Sequence, residues 1–401
     1  MTSKWERIKD NDGFAAEDVR REQEWRKRRK LEKQKKQAEL LHKESYSSFD
    51  VRSFILNQSG QLHSCDSIDS YEVLNKIEEG SYGIVYRARD KRNKNIIALK
   101  KVKLEKDYVE GFPITSLREI QSLKLVQHDN IVKLLDVVTG RSGKDVYLVM
   151  EFMEHDLATL LKDMPEDFLQ SEVKTLMLQL LAAVATLHHH WFVHRDLKPS
   201  NLLMNNTGEI KIADFGLARS LGEPKPQLTR LVVTLWYRAP ELLLGAPSYG
   251  KEIDMWSVGC IFAELLTRSP LFNGRSELDQ LSKIFNFLGY PTHESWPQFF
   301  LLPHASQVKQ PSVKSQHSQL RSAFPFLTAA GHDLLSRLLT LNPAHRITAE
   351  EALQHPYFTE APRPKDPRFF PTFPSKAKGE HRKEWNRRSD EEYTHTQRPP
   401  N

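Results

Sequence analysis

His194-Arg-Asp-Leu-Lys-Pro-Ser-Asn201, then Asp214-Phe-Gly216 and Ala239-Pro-Glu241, decide how this chain is read. Asp196 can orient an attacking hydroxyl and accept its proton. Lys198 can neutralise charge on a phosphoryl group in transfer, and Asn201 can offer an oxygen to Mg²⁺. Asp214 follows Asp196 by 18 residues, after a pair of β-type segments, and is a second oxygen ligand for the same ion. Ala239 follows Asp214 by 25 residues. Each tripeptide alone is ordinary loop composition. Their order and spacing together are not chance loop composition.

Working upstream, Ile77-Glu-Glu-Gly-Ser-Tyr-Gly-Ile-Val85 places Gly80 and Gly83 between two strands. Glycine there lets the backbone approach phosphates, although a hairpin turn alone would use the same residues. Glu78 stands where a G-x-G-x-x-G loop would have its first glycine. Lys100 ends the apolar run Ile97-Ala-Leu, and a charge on such a strand needs a partner. Glu119 on the following helix can be that partner, which would aim Lys100 at nucleotide phosphates.

The surrounding pattern predicts an α+β architecture of two lobes. Tyr71–Ile77, Gly83–Asp90, Ile96–Val102, Ile131–Val138 and Val146–Phe152 read as strands. A helix over Ser116–Val126 interrupts them, with Leu117, Ile120 and Leu123 on one face. After Asp156 the pattern is mostly helical: Leu157–Leu161, Ser171–His190, Asp254–Leu266, Glu277–Leu288 and Gly331–Leu341. A small antiparallel lobe over 71–152 and a larger helical lobe over 153–358 would enclose a cleft. Residues 1–70 read as a charged, largely disordered tail, basic over 20–36, with Ser45–Ser70 a linker. Residues 359–401 read as a Pro-rich segment that hugs the domain and then a charged end.

With these residues in place, the chain resembles a eukaryotic protein kinase over 71–358. Pro113-Ile-Thr-Ser-Leu-Arg-Glu119 is identical to the signature of the PITSLRE-type cyclin-dependent kinases, and the PISSLRE type is a near relative. Ile77-Glu-Glu-Gly80 resembles the phosphate loop of that subfamily, and Pro364–Pro374 resembles the segment that follows its domain. The resemblance implies ATP and Mg²⁺ as cofactors. It implies that Ile77, Val85, Ala98 and Leu203 sandwich the adenine, with Met150 behind it. Glu151 and Met153 would offer backbone groups to the base, and Asp156 would reach the ribose. Glu78, Glu79, Gly80, Ser81, Tyr82 and Gly83 would line the phosphates.

Three arginines, Arg118, Arg195 and Arg219, can converge. Like charges brought together call for an anion, and Thr229 is the candidate once an activating kinase has phosphorylated it. Because Arg118 and Glu119 share a helix, swinging it would seat both the arginine cluster and the Lys100 pair. In the resembling family a cyclin packs on this helix, here 113–126. Ser81 and Tyr82 resemble inhibitory phosphosites. Lys198 with Thr234 resembles Ser/Thr rather than Tyr kinases. Val232, Val233 and Trp236 resemble a proline pocket, so Ser/Thr-Pro substrates are expected. Glu241–Arg346 should be a buried ion pair, and Asp254-Met-Trp256 should tether the catalytic loop.

Composition sets the outer limits. The 401 residues are 39% hydrophobic and 27% charged, enough for two packed lobes. Two cysteines, Cys65 and Cys260, make no disulfide framework, which points to a reducing compartment, nucleus or cytoplasm. The longest apolar run, Leu176–Leu187, is too short to cross a bilayer. Most of the net charge of +6 lies in the two tails and the middle of the chain is nearly balanced, so no nucleic-acid-binding core is expected. The run 20–36 reads either as a solvated arm or as a nuclear-import or nucleic-acid patch. The rival readings are a kinase-fold scaffold of weak activity and a mitogen-activated-type kinase. The latter lacks its usual Thr-x-Tyr pair, since the chain reads Thr229-Arg-Leu231. The His188-His-His190 run reads as structural or solvated.

Overall fold

The structure is a computed structural model that describes residues 65–79, 83–103, 112–140, 145–221, 234–308 and 318–373. Five antiparallel strands form the first sheet: β1 (Tyr71–Glu79), β2 (Gly83–Asp90), β3 (Ile96–Val102), β4 (Leu134–Thr139) and β5 (Val146–Glu151). Their order is β1-β2-β3-β5-β4. Val85 opposes Lys100, Arg87 opposes Ala98, and Ala98 in turn opposes Met150. Directly opposed residues share a face, and neighbours along a strand alternate. Val85, Ala98, Lys100 and Met150 therefore lie on one face. Ile97, Leu99 and Val149 pack on the other with Tyr71, Ala88 and Val138.

The first face meets helix α1 (Ile114–Leu125), where Ile120 packs with Val102 and Leu148. The helix begins two residues before the expected Ser116, immediately after Pro113, whose fixed φ prepares a helix start. It ends one residue early, because Val126 leaves in an extended conformation to bury its side chain. The strand expected from Ile131 starts only at Leu134. Ile131 and Val132 pair instead with Ile212 of the second lobe, so this stretch ties the lobes together. The reading of Ser45–Ser70 as a linker is corrected at its end. Ser67 bridges Thr139, whose N–H donates to Asp66 O at 3.0 Å, and Arg92 Nη1 reaches Asp66 Oδ2 at 3.3 Å. Residues 65–70 are thus part of the first lobe's packing.

The second lobe is helical. The principal helices are α2 (Leu157–Asp163), α3 (Gln170–His189), α4 (Glu252–Thr267), α5 (Glu277–Leu288) and α6 (Ala329–Leu338). Small β elements accompany the helices: β6 (His155–Asp156), β7 (Phe192–Val193), β8 (Leu202–Met204), β9 (Ile210–Ile212) and β10 (Arg219–Ser220). They pair as β6-β8-β9 and β10-β7. Helix α3 buries Leu176, Leu180, Leu181, Val184 and Leu187 completely or nearly so. Each such leucine contributes about 1.5–3 kcal/mol of burial free energy. Helix α4 is apolar on all sides, and its buried polar groups Asp254, Ser257 and Glu264 all carry hydrogen bonds. Among the described residues no helix is long and apolar enough to cross a membrane.

The Glu241–Arg346 pair is present and bidentate, at 2.7 and 2.9 Å, with both side chains buried. Arg346 also donates to Glu252 O and stacks over Trp256. Removing one partner leaves a buried, uncompensated charge. Arg346→Ala is expected to lower unfolding free energy by about 3–5 kcal/mol in a denaturant titration. A loss below about 1 kcal/mol, typical of an exposed pair, would contradict this burial.

Candidate active site

Lys100 lies on the sheet face that meets α1, and its Nζ donates to Glu119 Oε1 at 2.7 Å. The same Nζ reaches Asp214 Oδ1 at 3.2 Å, from the second lobe. Burial pushes the lysine toward its neutral form, but the two carboxylates outweigh it and hold its pKa above the ordinary value. Burial likewise disfavours the charged Asp214, yet Lys100 brings its pKa below the usual carboxylate value. Both groups are therefore charged at neutral pH. Asp214 has φ +61°, in the left-handed region that non-glycine residues rarely adopt. The following turn, Phe215–Leu217, packs against α1, and Phe215 stacks edge-on with His194 at 4.9 Å. The helix, the turn and the lysine thus hold one another in register.

Asp196 is the second centre. Its Oδ2 accepts from Lys198 Nζ at 2.7 Å and from Asn201 Nδ2 at 3.1 Å. Its Oδ1 accepts from both the backbone N–H and the hydroxyl of Thr234, each at 3.1 Å. Lys198 Nζ also donates to Thr234 Oγ1 at 3.0 Å. Asn201 Nδ2 donates to Asp196 O at 2.8 Å as well, so the amide nitrogen is engaged and the amide oxygen is the group suited to a cation. The loop is held from behind by Asp254, which is 1% exposed. Its two oxygens accept from the backbone N–H groups of His194 and Arg195, each at 2.9 Å, and Oδ2 also contacts His188 Nε2 at 3.0 Å. The tether expected of Asp254 is in place, and His188 is part of it.

The donor set suits a hard cation. Mg²⁺ binds through one or two protein oxygens and completes its shell with phosphate oxygens and water. Asn201 and Asp214 offer that number. Among the described residues no group of three or more His, Cys, Asp or Glu could hold a metal unaided.

The residues expected at the nucleotide slot fall in two groups. Val85, Ala98 and Met150 share the sheet face described above, and Leu203 lies opposite Asp156 in the β6–β8 pair. Ile77 sits at an irregularity in the β1–β2 register, between Lys76 and Glu78. Glu78 and Glu79 are exposed at the end of β1, and Gly83 opens β2. A Cβ on Gly83 would come within 2.4 Å of Lys101 O, so that position requires glycine. The Glu151 side chain turns away from the slot: its Oε1 accepts from Lys133 N at 2.7 Å and pairs with Lys211 Nζ at 3.1 Å. Asp156 carries a duty the sequence reading did not assign. Its Oδ1 accepts from Thr159 N at 2.8 Å and caps α2, a role that Asp three residues before that N–H commonly fills.

Arg195 and Arg219 do approach Arg118. Burial first, then the charges of Arg118 and Arg195, lower the Arg219 pKa to about 9. Arg195 is buried at φ +69°, with Nε donating to Leu217 O and Nη1 to Tyr249 OH, both at 2.7 Å. Its Nη2 is buried without a hydrogen-bond partner among the described residues. Tyr249 went unread because nothing local in the sequence distinguishes it. Trp236 is 40% exposed, with its indole N–H donating to Gly274 O at 3.1 Å. Gly80, Ser81, Tyr82, Thr229, Val232 and Val233 lie outside the described residues, as does the basic segment 20–36.

The family model for the protein kinase domain matches residues 71–358. The chain belongs to the protein kinase family. The kinase is 66% identical over 381 residues to a serine/threonine-protein kinase, ppk23, of Schizosaccharomyces pombe, covering 94% of this chain and 95% of that one. It is 54% identical over 322 residues to cyclin-dependent kinase G-1 of Oryza sativa, with 78% and 46% covered. It is 51% identical over 317 residues to human cyclin-dependent kinase 11B, with 79% and 40% covered. It is thus a protein serine/threonine kinase of the cyclin-dependent family, with PITSLRE-type kinases among its close relatives. The bilobal fold expected from the sequence is the one observed.

Lys100→Met would leave Glu119 and Asp214 facing an empty centre. Its expected consequence is a loss of about 10²–10³-fold in the rate of substrate phosphorylation, measured by radiolabelled phosphate transfer. Activity within about threefold of wild type would show that the Lys100 charge does not serve the reaction.

Proposed function

We propose that this kinase transfers the γ-phosphoryl group of ATP to Ser/Thr-Pro sites in proteins, with a cyclin seated on α1. The observation that supports this best is that Lys100 contacts Asp214, Asp196 contacts Asn201, and the two pairs are joined by the Ala213 N–H donating to Asn201 O at 2.9 Å. Asp196 would accept the proton of the substrate hydroxyl. The Thr234 hydroxyl and the Asn201 amide hold its two oxygens in place for that transfer. Lys198 and Lys100 would offset negative charge as it shifts on the phosphates. Bound Mg²⁺, held by Asn201 and Asp214, would supply charge neutralisation on the triphosphate. Adenine would enter between Ile77, Val85 and Ala98 above and Leu203 below, against Met150. The turned-away Glu151 side chain leaves that residue's backbone, with Met153's, to meet the base, while Asp156 meets the ribose.

The arginine cluster supports Thr229 as the activating phosphosite. Burial, and after it the charges of Arg118 and Arg195, depress the Arg219 pKa, and a phosphate would offset the like-charge part. Cyclin control follows from the position of α1, which carries Glu119 for the lysine and Arg118 for the cluster. Two relatives named as cyclin-dependent kinases support the same partner. The half-exposed Trp236 supports a proline-accepting surface, and Val232 and Val233 are the sequence candidates to share that role. Ser81 and Tyr82 are proposed inhibitory phosphosites. A nuclear setting, in transcription, RNA processing or cell-cycle control, rests on the basic segment 20–36 and on the family.

The test is phosphorylation of matched Ser-Pro and Ser-Ala peptides by the chain with and without its co-purified cyclin. Asp196→Asn is expected to reduce transfer by about 10²–10⁴-fold. Thr229→Ala is expected to reduce it by about tenfold or more. Full activity of the lone chain, or equal use of both peptides, would contradict cyclin control or proline direction respectively.

A further inference from the structure

The protein kinase family match ends at residue 358, yet the next fifteen residues, 359–373, are packed on the second lobe. Lys365 anchors them to the start of α3. Its N–H donates to Ser171 O at 3.0 Å, its Nζ to Glu172 Oε1 at 2.7 Å, and its carbonyl accepts from Thr175 Oγ1 at 2.5 Å. Further along, Phe370 and Phe373 are only 6% and 7% exposed, whereas Phe369 between them and the anchor is 70% exposed. Phe370 lies on Gly208, at φ +75°, where a Cβ would come within 2.4 Å of Pro367 O. Both buried rings contact Phe168, and Phe373 also packs edge-on against His155 at 6.2 Å.

That last contact reaches the nucleotide slot from behind. His155 and Asp156 make up all of β6, whose one neighbour is β8, and a strand of this length holds little of its own position. Asp156 opposes Leu203 and His155 opposes Met204. By strand alternation Asp156 and Leu203 face one way and His155 and Met204 the other, and Met204 is fully buried in the core of the lobe. His155 is held on that rear side by Asn206 Oδ1 at 2.9 Å and by the Phe373 ring. The Asp156 oxygen that does not cap α2 is the one a ribose hydroxyl would use.

We propose that the strap 359–373 is a positioning element for the nucleotide, with Phe373 setting Asp156 through His155. This rests on the nucleotide reading of the cleft given above. The strap touches no reacting group, so its loss should weaken nucleotide binding and leave the rate of transfer at saturating ATP unchanged. Displacing a contact group by about 1 Å is enough to weaken a site many-fold.

The experiment is calorimetric titration of the full-length chain with Mg·ADP, with kcat and KM for ATP measured on the cyclin complex. Phe373→Ala is expected to raise Kd and KM about tenfold with kcat unchanged, and Phe369→Ala to leave all three within about twofold. His155→Ala is expected to weaken binding similarly, and the double variant no further, because the two act as one contact. Wild-type protein that does not bind Mg·ADP would break the nucleotide reading itself. Wild-type binding with an unchanged Kd in a cooperatively melting Phe373→Ala would overturn the strap's role, even if its melting temperature falls. If Phe373→Ala does not fold, Phe373→Leu decides: a raised Kd supports the proposal, and a wild-type Kd overturns it.

Discussion

One ammonium group joins three parts of the molecule. Lys100 comes from the sheet, Glu119 from α1 and Asp214 from the second lobe, and they meet within 3.2 Å. A buried charge cannot be left unpaired without a large cost, so each element must sit where the others require it. If α1 swings out, Lys100 loses Glu119. If the turn after Asp214 rearranges, Lys100 loses its second partner and α1 loses the Phe215 packing. The pair is therefore weak evidence of stability and strong evidence of a state: the geometry described is the one in which all three elements agree.

Asp254 does for the catalytic loop what Lys100 does for the cleft. It lies on a helix apolar on every side, at the depth where a carboxylate persists only with several donors. Two backbone N–H groups and His188 supply them. In return, the loop before Asp196 is fixed by hydrogen bonds to a rigid core rather than by its own conformation. The same helix carries Ser257 and Glu264, which hold Tyr237 by its backbone carbonyl and its hydroxyl, so the segment after Thr234 is fastened to the same support. Positive φ at Arg195 and Asp214 shows where the backbone carries strain that this support maintains.

Much of this was legible in the sequence, for identifiable reasons. Strands β2 and β3 have their ends marked by Gly83 and by the polar turn Lys91–Asn95, and both were read to the residue. The four charged and amide groups of the cleft were legible because phosphoryl transfer needs those side chains at nearly fixed spacing. What escaped was non-local. Ile131 has a strand-like neighbourhood, but Ile212, 81 positions further along, captures it. Residues 65–70 have linker composition, and only the packed sheet provides Thr139 and Arg92 as partners. Tyr249 takes its significance from what folding places beside it, whereas His188 was expected to be structural or solvated and the segment after 358 to hug the domain, with only their partners left unread. Asp156, expected at a ribose, caps α2 with one of its two oxygens because a helix starts beside it.

The central claim is that Asp214 and its neighbours form a site for magnesium nucleotide. The most direct test is the affinity of the chain for ATP across a Mg²⁺ titration, wild type beside Asp214→Asn. The account predicts that Mg²⁺ tightens binding to wild type and has little effect on the variant. An identical Mg²⁺ dependence in the two proteins would contradict it.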